Sequence, residues 1–158
     1  MKLIRFLVFS NTWISIGASA VTLMTFQFLN QEPNATLVLF VFFSTLFSYN
    51  FQRLSRISKL KNDSPNLWVV SHEKQAKVIL IISLVGALLF NPFFTHPNTL
   101  FPVLILGFVS FGYSYKGLRD YPMVKIFLIA SSWGILCGIT PFFYTPFWNS
   151  VSMVQSFC

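Results

Sequence analysis

Long apolar runs alternate with short polar segments along the whole chain. A helix that crosses the hydrocarbon core of a bilayer, about 30 Å thick, needs about 20 mostly apolar residues. Five runs meet or approach that length, and they cover residues 6–28, 35–51, 76–94, 100–115 and 123–144. The pattern predicts an all-α integral membrane protein, in which residues 1–158 form a single bundle of about five transmembrane helices.

The basic residues indicate which side of the membrane each connection faces. Lys and Arg are retained in cytoplasmic loops. All 11 of them lie before the first run, around the connection between the second and third, or around that between the fourth and fifth. This alternation predicts a multi-pass protein of the cell membrane with its amino terminus inside and its carboxyl terminus outside. Residues 52–75 then form a cytoplasmic loop, and the tail over residues 145–158 is left unassigned.

Composition excludes two other classes of protein. Only 9% of the residues are charged and the mean hydropathy is +0.66, whereas a soluble domain has about 25% charged residues. The chain also carries 20 Phe, 5 Tyr and 4 Trp, far more apolar surface than a disordered chain. The net charge of +7 is spread over the connections between runs, so it indicates topology and attraction to anionic lipid rather than nucleic-acid binding.

The first run has an alternative interpretation as a cleaved signal peptide. Residues 1–5 would then be its charged start and Ala18-Ser19-Ala20 its small-residue cleavage site. Against this, the run continues to Phe28 without a break, and Asn11 and Ser15 interrupt its apolar centre. Cleavage would leave the rest of the predicted topology unchanged.

Polar and small residues inside the runs predict where helices meet. Asn11, Ser15, Ala18 and Thr22 recur at spacings of four, three and four, so they share one helix face. Two interpretations are open: the face packs against other helices, or it forms the wall of a ligand-holding cavity. In the fifth run the segment Gly134-Ile135-Leu136-Cys137-Gly138 matches GxxxG, which favours close helix contact.

No metal-ligand pattern occurs in the sequence. Cys137 lies inside a predicted span, and His72 and His96 are predicted on opposite sides of the membrane. The acidic residues of the predicted cytoplasmic side have no spacing that would form a carboxylate clamp, and they are Asp63, Glu73 and Asp120. We therefore predict neither a metal site nor a nucleophilic catalytic group.

The ends of the second and fourth predicted helices carry a more specific pattern. The second ends with Ser48-Tyr49-Asn50-Phe51-Gln52-Arg53-Leu54-Ser55-Arg56, and the fourth with the segment 111–125, FGYSYKGLRDYPMVK. Together with Trp133, these segments resemble the amino-terminal half of the UbiA-type intramembrane prenyltransferase superfamily. In that family the second helix ends in N-D-x-x-D, and the fourth ends in a Tyr-Ser element followed by basic residues.

The resemblance implies a helical bundle around a cavity that binds a prenyl diphosphate and transfers its prenyl group to a lipophilic acceptor. Mg²⁺, held by carboxylates, would neutralise the diphosphate, and basic and tyrosyl groups would help to clamp it. The substrate-binding residues that it implies here are Asn50, Gln52, Arg53, Tyr113, Lys116 and Arg119.

The chain departs from the family pattern in its motif and in its length. In one alignment Tyr49 and Gln52 take the two Asp positions, and in the other Phe51 and Leu54 take them, so neither supplies a carboxylate. Mg²⁺ is therefore expected only where a complete family site exists, and no cofactor is predicted for this chain. The predicted spans match only the front half of the family bundle, as in a fragment or a degenerate member. Prenyltransferase activity of this chain alone is expected to be absent or very weak.

Three functions remain open from the sequence. The first is a UbiA-like protein that binds or transfers a prenyl diphosphate only as part of a complete bundle. The second is a non-enzymatic membrane subunit that acts through helix packing with a second copy or another membrane protein. The third is a small transporter, which lacks the intramembrane charge that an ion path usually needs. Membrane lipid is the partner common to all three.

Overall fold

The helices account for nearly all of the chain that the computed structural model describes, namely residues 7–55, 57, 68–92, 99, 101–105, 107–108 and 122–144. No strand occurs in these ranges, which confirms the all-α class. The helices are α1 (Thr12–Phe28), α2 (Ala35–Leu54), α3 (Trp68–Ser71), α4 (Glu73–Leu89), α5 (Pro122–Trp133) and α6 (Thr140–Tyr144), with a π-helical segment (Gly134–Ile139) between the last two. Two helical stretches, Ala35–Leu54 and Ile126–Phe143, are long and apolar enough to cross a membrane.

The first predicted span contains a break. Residues 7–9 are helical, and α1 begins only after Ser10 and Asn11. Asn11 has a φ of 63°, in the left-handed region that Asn tolerates better than most residues. The predicted helix over residues 6–28 is therefore two helical pieces joined at Asn11.

The boundaries of α2 follow from its caps. The Asn34 side chain accepts a hydrogen bond from the Leu37 amide at 3.2 Å, which satisfies one of the free amides at the helix start. At the other end α2 continues to Leu54, beyond the predicted end at residue 51. Gln and Arg have good helix propensity, so the helix extends past the apolar run through Gln52 and Arg53.

The other predicted spans begin or end at residues different from those of the observed helices. α4 starts at Glu73 and ends at Leu89, against a prediction of 76–94, and an ion pair of 2.7 Å between Glu73 and Lys77 supports its first turn. α3 lies within the predicted loop 52–75. Of the predicted fourth span, 100–115, residues 101–105 and 107–108 are helical and the others lie outside the described residues. The fifth, predicted over 123–144, is helical from Pro122 to Tyr144.

α2 is the centre of the packing, since it contacts both α1 and α4. The buried residues include polar ones and large apolar ones such as Phe26 and Leu37, and many other aliphatic residues are exposed. On α4, Ser83 is fully buried, whereas Ile81 and Leu89 are 61% and 74% exposed. On α1 all four residues of the predicted polar face are buried. Buried polar residues beside many exposed large aliphatic ones are an uncommon combination in soluble proteins.

Gly86 is the glycine at which two of these helices approach most closely. A Cβ added to Gly86 would lie 2.5–2.8 Å from three ring carbons of Phe43, and the Phe43 ring stacks on Phe90 at 5.8 Å. At Gly134 and Gly138 an added Cβ would meet no heavy atom of the described residues within 4 Å. The two glycines of the GxxxG segment are therefore not its points of close contact with the described residues, and it is Leu136 and Cys137 that lie in the core.

Candidate functional site

A cluster of polar groups forms where the start of α1 meets the end of α2. Asn50 of α2 is only 2% exposed. Its side-chain amide donates to the Ser10 carbonyl at 3.0 Å and to the Leu46 carbonyl at 2.8 Å. Its Oδ1 accepts from the Asn11 side-chain amide at 3.4 Å. Every hydrogen-bonding group of this amide except one lone pair therefore has a partner within the helix pair.

Arg53 extends the cluster by one turn of α2. Its guanidinium Nη1 donates to the carbonyl of Phe9, in the helical residues that precede the break. Arg53 and its neighbour Gln52 are both half-buried. A protonated guanidinium that donates to a carbonyl forms a charge-assisted hydrogen bond, which is stronger than a neutral one. The end of α2 is thus attached to the first helix by two side chains.

Tyr49 joins the same end of α2 to α5. The indole nitrogen of Trp133 donates to the Tyr49 hydroxyl at 3.3 Å, which satisfies two polar groups that are costly to leave unpaired in an apolar bundle. The edge of the Trp133 ring lies 4.0 Å from the position of a Cβ on Gly17. Trp133 therefore contacts α1 and α2 together.

One turn further, the π-helical segment packs on α1. The Cys137 thiol donates to the Ala18 carbonyl at 3.5 Å, and the Thr22 hydroxyl donates to the same carbonyl at 3.0 Å. Ser15 bonds to the Asn11 carbonyl, one turn earlier on its own helix. The described contacts of this α1 face are those of helix packing, which was one of the two interpretations left open by the sequence.

The predicted substrate-binding residues divide into two groups. Asn50, Gln52 and Arg53 lie together at the end of α2, beside the break in the first helix. The other three, Tyr113, Lys116 and Arg119, lie outside the described residues. A role in substrate binding stays a prediction for all six.

The pairing of Asn11 with Asn50 was not predicted, although the sequence carries a signal for it. Both residues lie near the predicted cytoplasmic end of a span, so antiparallel neighbours would place them at the same depth. Amide side chains at equal depth in an apolar bundle find each other because each is costly to leave unpaired. A rule that pairs polar residues lying at the same membrane depth in successive spans would have identified Asn11 and Asn50.

The cluster does not fit a divalent cation. Mg²⁺ binds through carboxylate and other oxygen ligands, but Asn50 directs two amide protons at its neighbours and its oxygen faces Asn11. Arg53 adds a positive charge one turn away. Among the described residues, no group of three or more His, Cys, Asp or Glu side chains is placed to hold a metal.

Comparison with known proteins identifies no relative of this chain. No family model, no curated protein and no solved structure matches the chain. The resemblance to the UbiA-type superfamily therefore stays a prediction, carried by the end of α2, residues 111–125 and Trp133. Of these, the end of α2 and Trp133 are described, and they meet at the bond between Tyr49 and Trp133.

Proposed function

We propose that this protein is a multi-pass protein of the cell membrane, with its basic loops on the cytoplasmic side. The observation that supports it is the large number of exposed aliphatic side chains on its helices, together with several buried polar ones. Polar residues such as Ser15, Thr22 and Ser83 are buried beside apolar ones, and many large aliphatic residues face outward. In water this would expose much apolar surface, whereas in lipid the aliphatic residues lie in a matching solvent and the buried polar residues are kept away from it.

Helix directions support the five-span topology. α1 and α2 are antiparallel, since Ser19 hydrogen-bonds to the Val38 carbonyl near one end and Asn11 bonds to Asn50 near the other. α1 and the last helical stretch run in the same direction, because Trp133 lies at the Tyr49 end and Cys137, further along the stretch, lies at Ala18. A first and a fifth span would be parallel, as observed for this pair.

Labelling of single cysteines from each side of the membrane tests the topology. In a background with Cys158 replaced by Ser, we expect Glu32→Cys to react with an impermeant maleimide on intact cells. Ser55→Cys should react only after the cells are opened. Both positions are exposed, so differences in labelling report the side of the membrane. Buried Cys137 provides the unlabelled background. Labelling of Ser55→Cys on intact cells, with labelling of Glu32→Cys only after the cells are opened, would contradict the proposed orientation.

Within the membrane we propose that the bundle is UbiA-like and binds the prenyl chain and diphosphate of a prenyl lipid only as part of a complete bundle. The bond between Tyr49 and Trp133 carries this proposal, because it joins two of the segments on which the resemblance depends. Transfer chemistry is not proposed for this chain alone. Its described residues offer amide and guanidinium donors at the end of α2, where a metal-dependent transferase would need carboxylates.

Photolabelling in the membranes that contain the native protein tests prenyl binding. We expect a photoreactive farnesyl diphosphate analogue to label the chain, and an excess of farnesyl diphosphate to abolish the labelling. Inorganic diphosphate alone should compete poorly, because most of the binding free energy of such a ligand comes from the buried prenyl chain. The purified chain with Mg²⁺ and a lipophilic acceptor is expected to form no prenylated product. Labelling that farnesyl diphosphate does not reduce would contradict prenyl binding.

A second candidate is a non-enzymatic subunit that acts through helix packing. The observation that favours it is the outer face of α5, where Met123, Ile126 and Phe127 are exposed and the nearby Gly134 and Gly138 contact no other described side chain. Such a face suits a second copy or another membrane helix as well as lipid. Crosslinking to a second protein, together with no competed photolabelling, would favour this candidate over prenyl binding.

A further inference from the structure

The break in the first helix frees backbone carbonyls that an unbroken helix would use. Each of them nevertheless has a partner. Those of Leu7 and Val8 bond locally, to the Ser10 hydroxyl at 3.3 Å and the Asn11 amide at 3.3 Å. Those of Phe9 and Ser10 bond to side chains of α2. A buried carbonyl without a partner is costly, so this full satisfaction explains how the break is maintained.

The two partners from α2 are separated by three positions, so they lie on one face of the helix. Asn50 donates to Ser10 and Arg53 to Phe9, the two consecutive residues before the break residue. Asn11, the break residue itself, donates back to the Asn50 oxygen. Two side chains of α2 thus donate hydrogen bonds to the residues before the break, and the break residue donates one hydrogen bond to α2.

We propose that Asn50 and Arg53 are a latch that holds the broken start of the first helix against the end of α2. In this assignment the polar residues at the end of α2 are positioning residues for the segment 7–11. They take the place of the cation site that the UbiA resemblance implies for the same stretch. The latch is independent of prenyl binding, because it depends only on hydrogen bonds within the chain.

The latch and a cation site make opposite demands on residue 50. The latch needs the amide, because the two protons of Asn50 Nδ2 are both donated to carbonyls, at 3.0 and 2.8 Å. A carboxylate has no proton to donate and would be repelled by both carbonyl oxygens. A cation site would instead gain from a carboxylate, which is a preferred ligand of Mg²⁺. The substitution Asn50→Asp therefore separates the two assignments.

Hydrogen–deuterium exchange of the full chain in nanodiscs measures the result. We expect Asn50→Asp to accelerate amide exchange in peptides that contain residues 7–19 by about tenfold or more, since buried groups lose their partners. Millimolar Mg²⁺ should not restore the slow exchange. Peptides of α4 should be unaffected. Unchanged exchange at residues 7–19, or slow exchange restored by Mg²⁺, would overturn the latch.

Asn34→Asp is the matched control. Asn34 caps the other end of α2, where its side chain only accepts a hydrogen bond. Asp accepts equally well at that position, and its negative charge is favourable at a helix start. The same chemical change should therefore leave exchange unaltered at Asn34 and accelerate it at Asn50. Equal acceleration by both substitutions would overturn the latch, because it would indicate a general effect of added charge.

Arg53→Met provides a second test should Asn50→Asp prevent folding. Met keeps the length and the apolar stem of Arg but cannot donate to the Phe9 carbonyl. We expect faster exchange at residues 7–19 in this variant and no change there in Lys77→Met, which removes a largely exposed cation of α4. Identical exchange in the two Met variants would overturn the role of Arg53. Farnesyl photolabelling is a separate readout, so a failed latch and a failed lipid proposal remain distinguishable.

Discussion

Replacing Gly86 with Ala is expected to lower the free energy of unfolding by about 2 kcal/mol. The added Cβ would lie 2.5–2.8 Å from Cγ, Cδ1 and Cδ2 of Phe43, which are ring carbons near the backbone rather than the flexible end of a side chain. The Phe43 ring cannot move away freely, because it stacks on Phe90 at 5.8 Å with an angle of 2° between the rings. α2 and α4 must therefore separate to admit the methyl group. Reversible unfolding in mixed micelles, monitored by Trp fluorescence, measures the loss.

Gly134→Ala is the control for this substitution. It adds the same methyl group at a position where no heavy atom of the described residues lies within 4 Å, so stability should be unchanged or slightly raised. A second comparison places Gly86→Ala on a Phe43→Leu background. The smaller side chain should recover about 1 kcal/mol of the loss, since residues in direct contact are energetically coupled. Equal losses for the two Gly→Ala variants would contradict close packing at Gly86.

Asn11→Val is expected to destabilise the protein by about 2–3 kcal/mol. The left-handed conformation costs an L-residue about 1–2 kcal/mol, and a β-branched side chain is among the least tolerated there. Asn11 holds a φ of 63° in the folded protein. Val also removes the hydrogen bond to the Asn50 oxygen, which adds about 1 kcal/mol. The same unfolding measurement quantifies this loss.

Asn11→Gly separates the two contributions. Gly adopts positive φ without steric cost, so this variant should lose only the hydrogen bond to Asn50, about 1 kcal/mol. The difference between the Val and Gly variants then measures the backbone contribution of the break. If Val were as stable as Gly, an unbroken first helix would be the better description of residues 7–28.

Several features of the fold were predictable because they depend on local sequence. Apolar runs bounded by polar residues located the ends of α1, α2, α4 and the stretch Pro122–Tyr144 to within six residues, since backbone groups in an apolar segment are satisfied most simply by a helix. The polar face of α1 was also predictable, because helical periodicity alone places Ser15, Ala18 and Thr22 together, and all three are buried.

The break at Asn11 was not predictable from those rules. An apolar run with one Asn predicts a continuous helix, and residues 6–28 were accordingly expected to form a single span. The break is tolerated only because Asn50 and Arg53, about 40 residues away in the chain, supply donors for the freed carbonyls. Such compensation exists only once α1 and α2 are packed side by side.

Tertiary structure likewise determines which glycine lies at a close contact between helices. The sequence favoured Gly134 and Gly138 because they match a packing motif, yet the close approach occurs at Gly86, opposite Phe43. A spacing of four residues shows which glycines share a face, but not whether another helix lies on that face.

The sequence by itself determined the helical class, the approximate helix positions and the polar face of α1, because periodicity and length act within one segment. Only the tertiary structure decided that Asn50 and Arg53 bond to the carbonyls of Ser10 and Phe9, and that Tyr49 pairs with Trp133. Those partners are chosen by the direction and depth at which separate helices pack. The physical reason is that a polar group in an apolar bundle must be satisfied by whichever group the packing brings within reach.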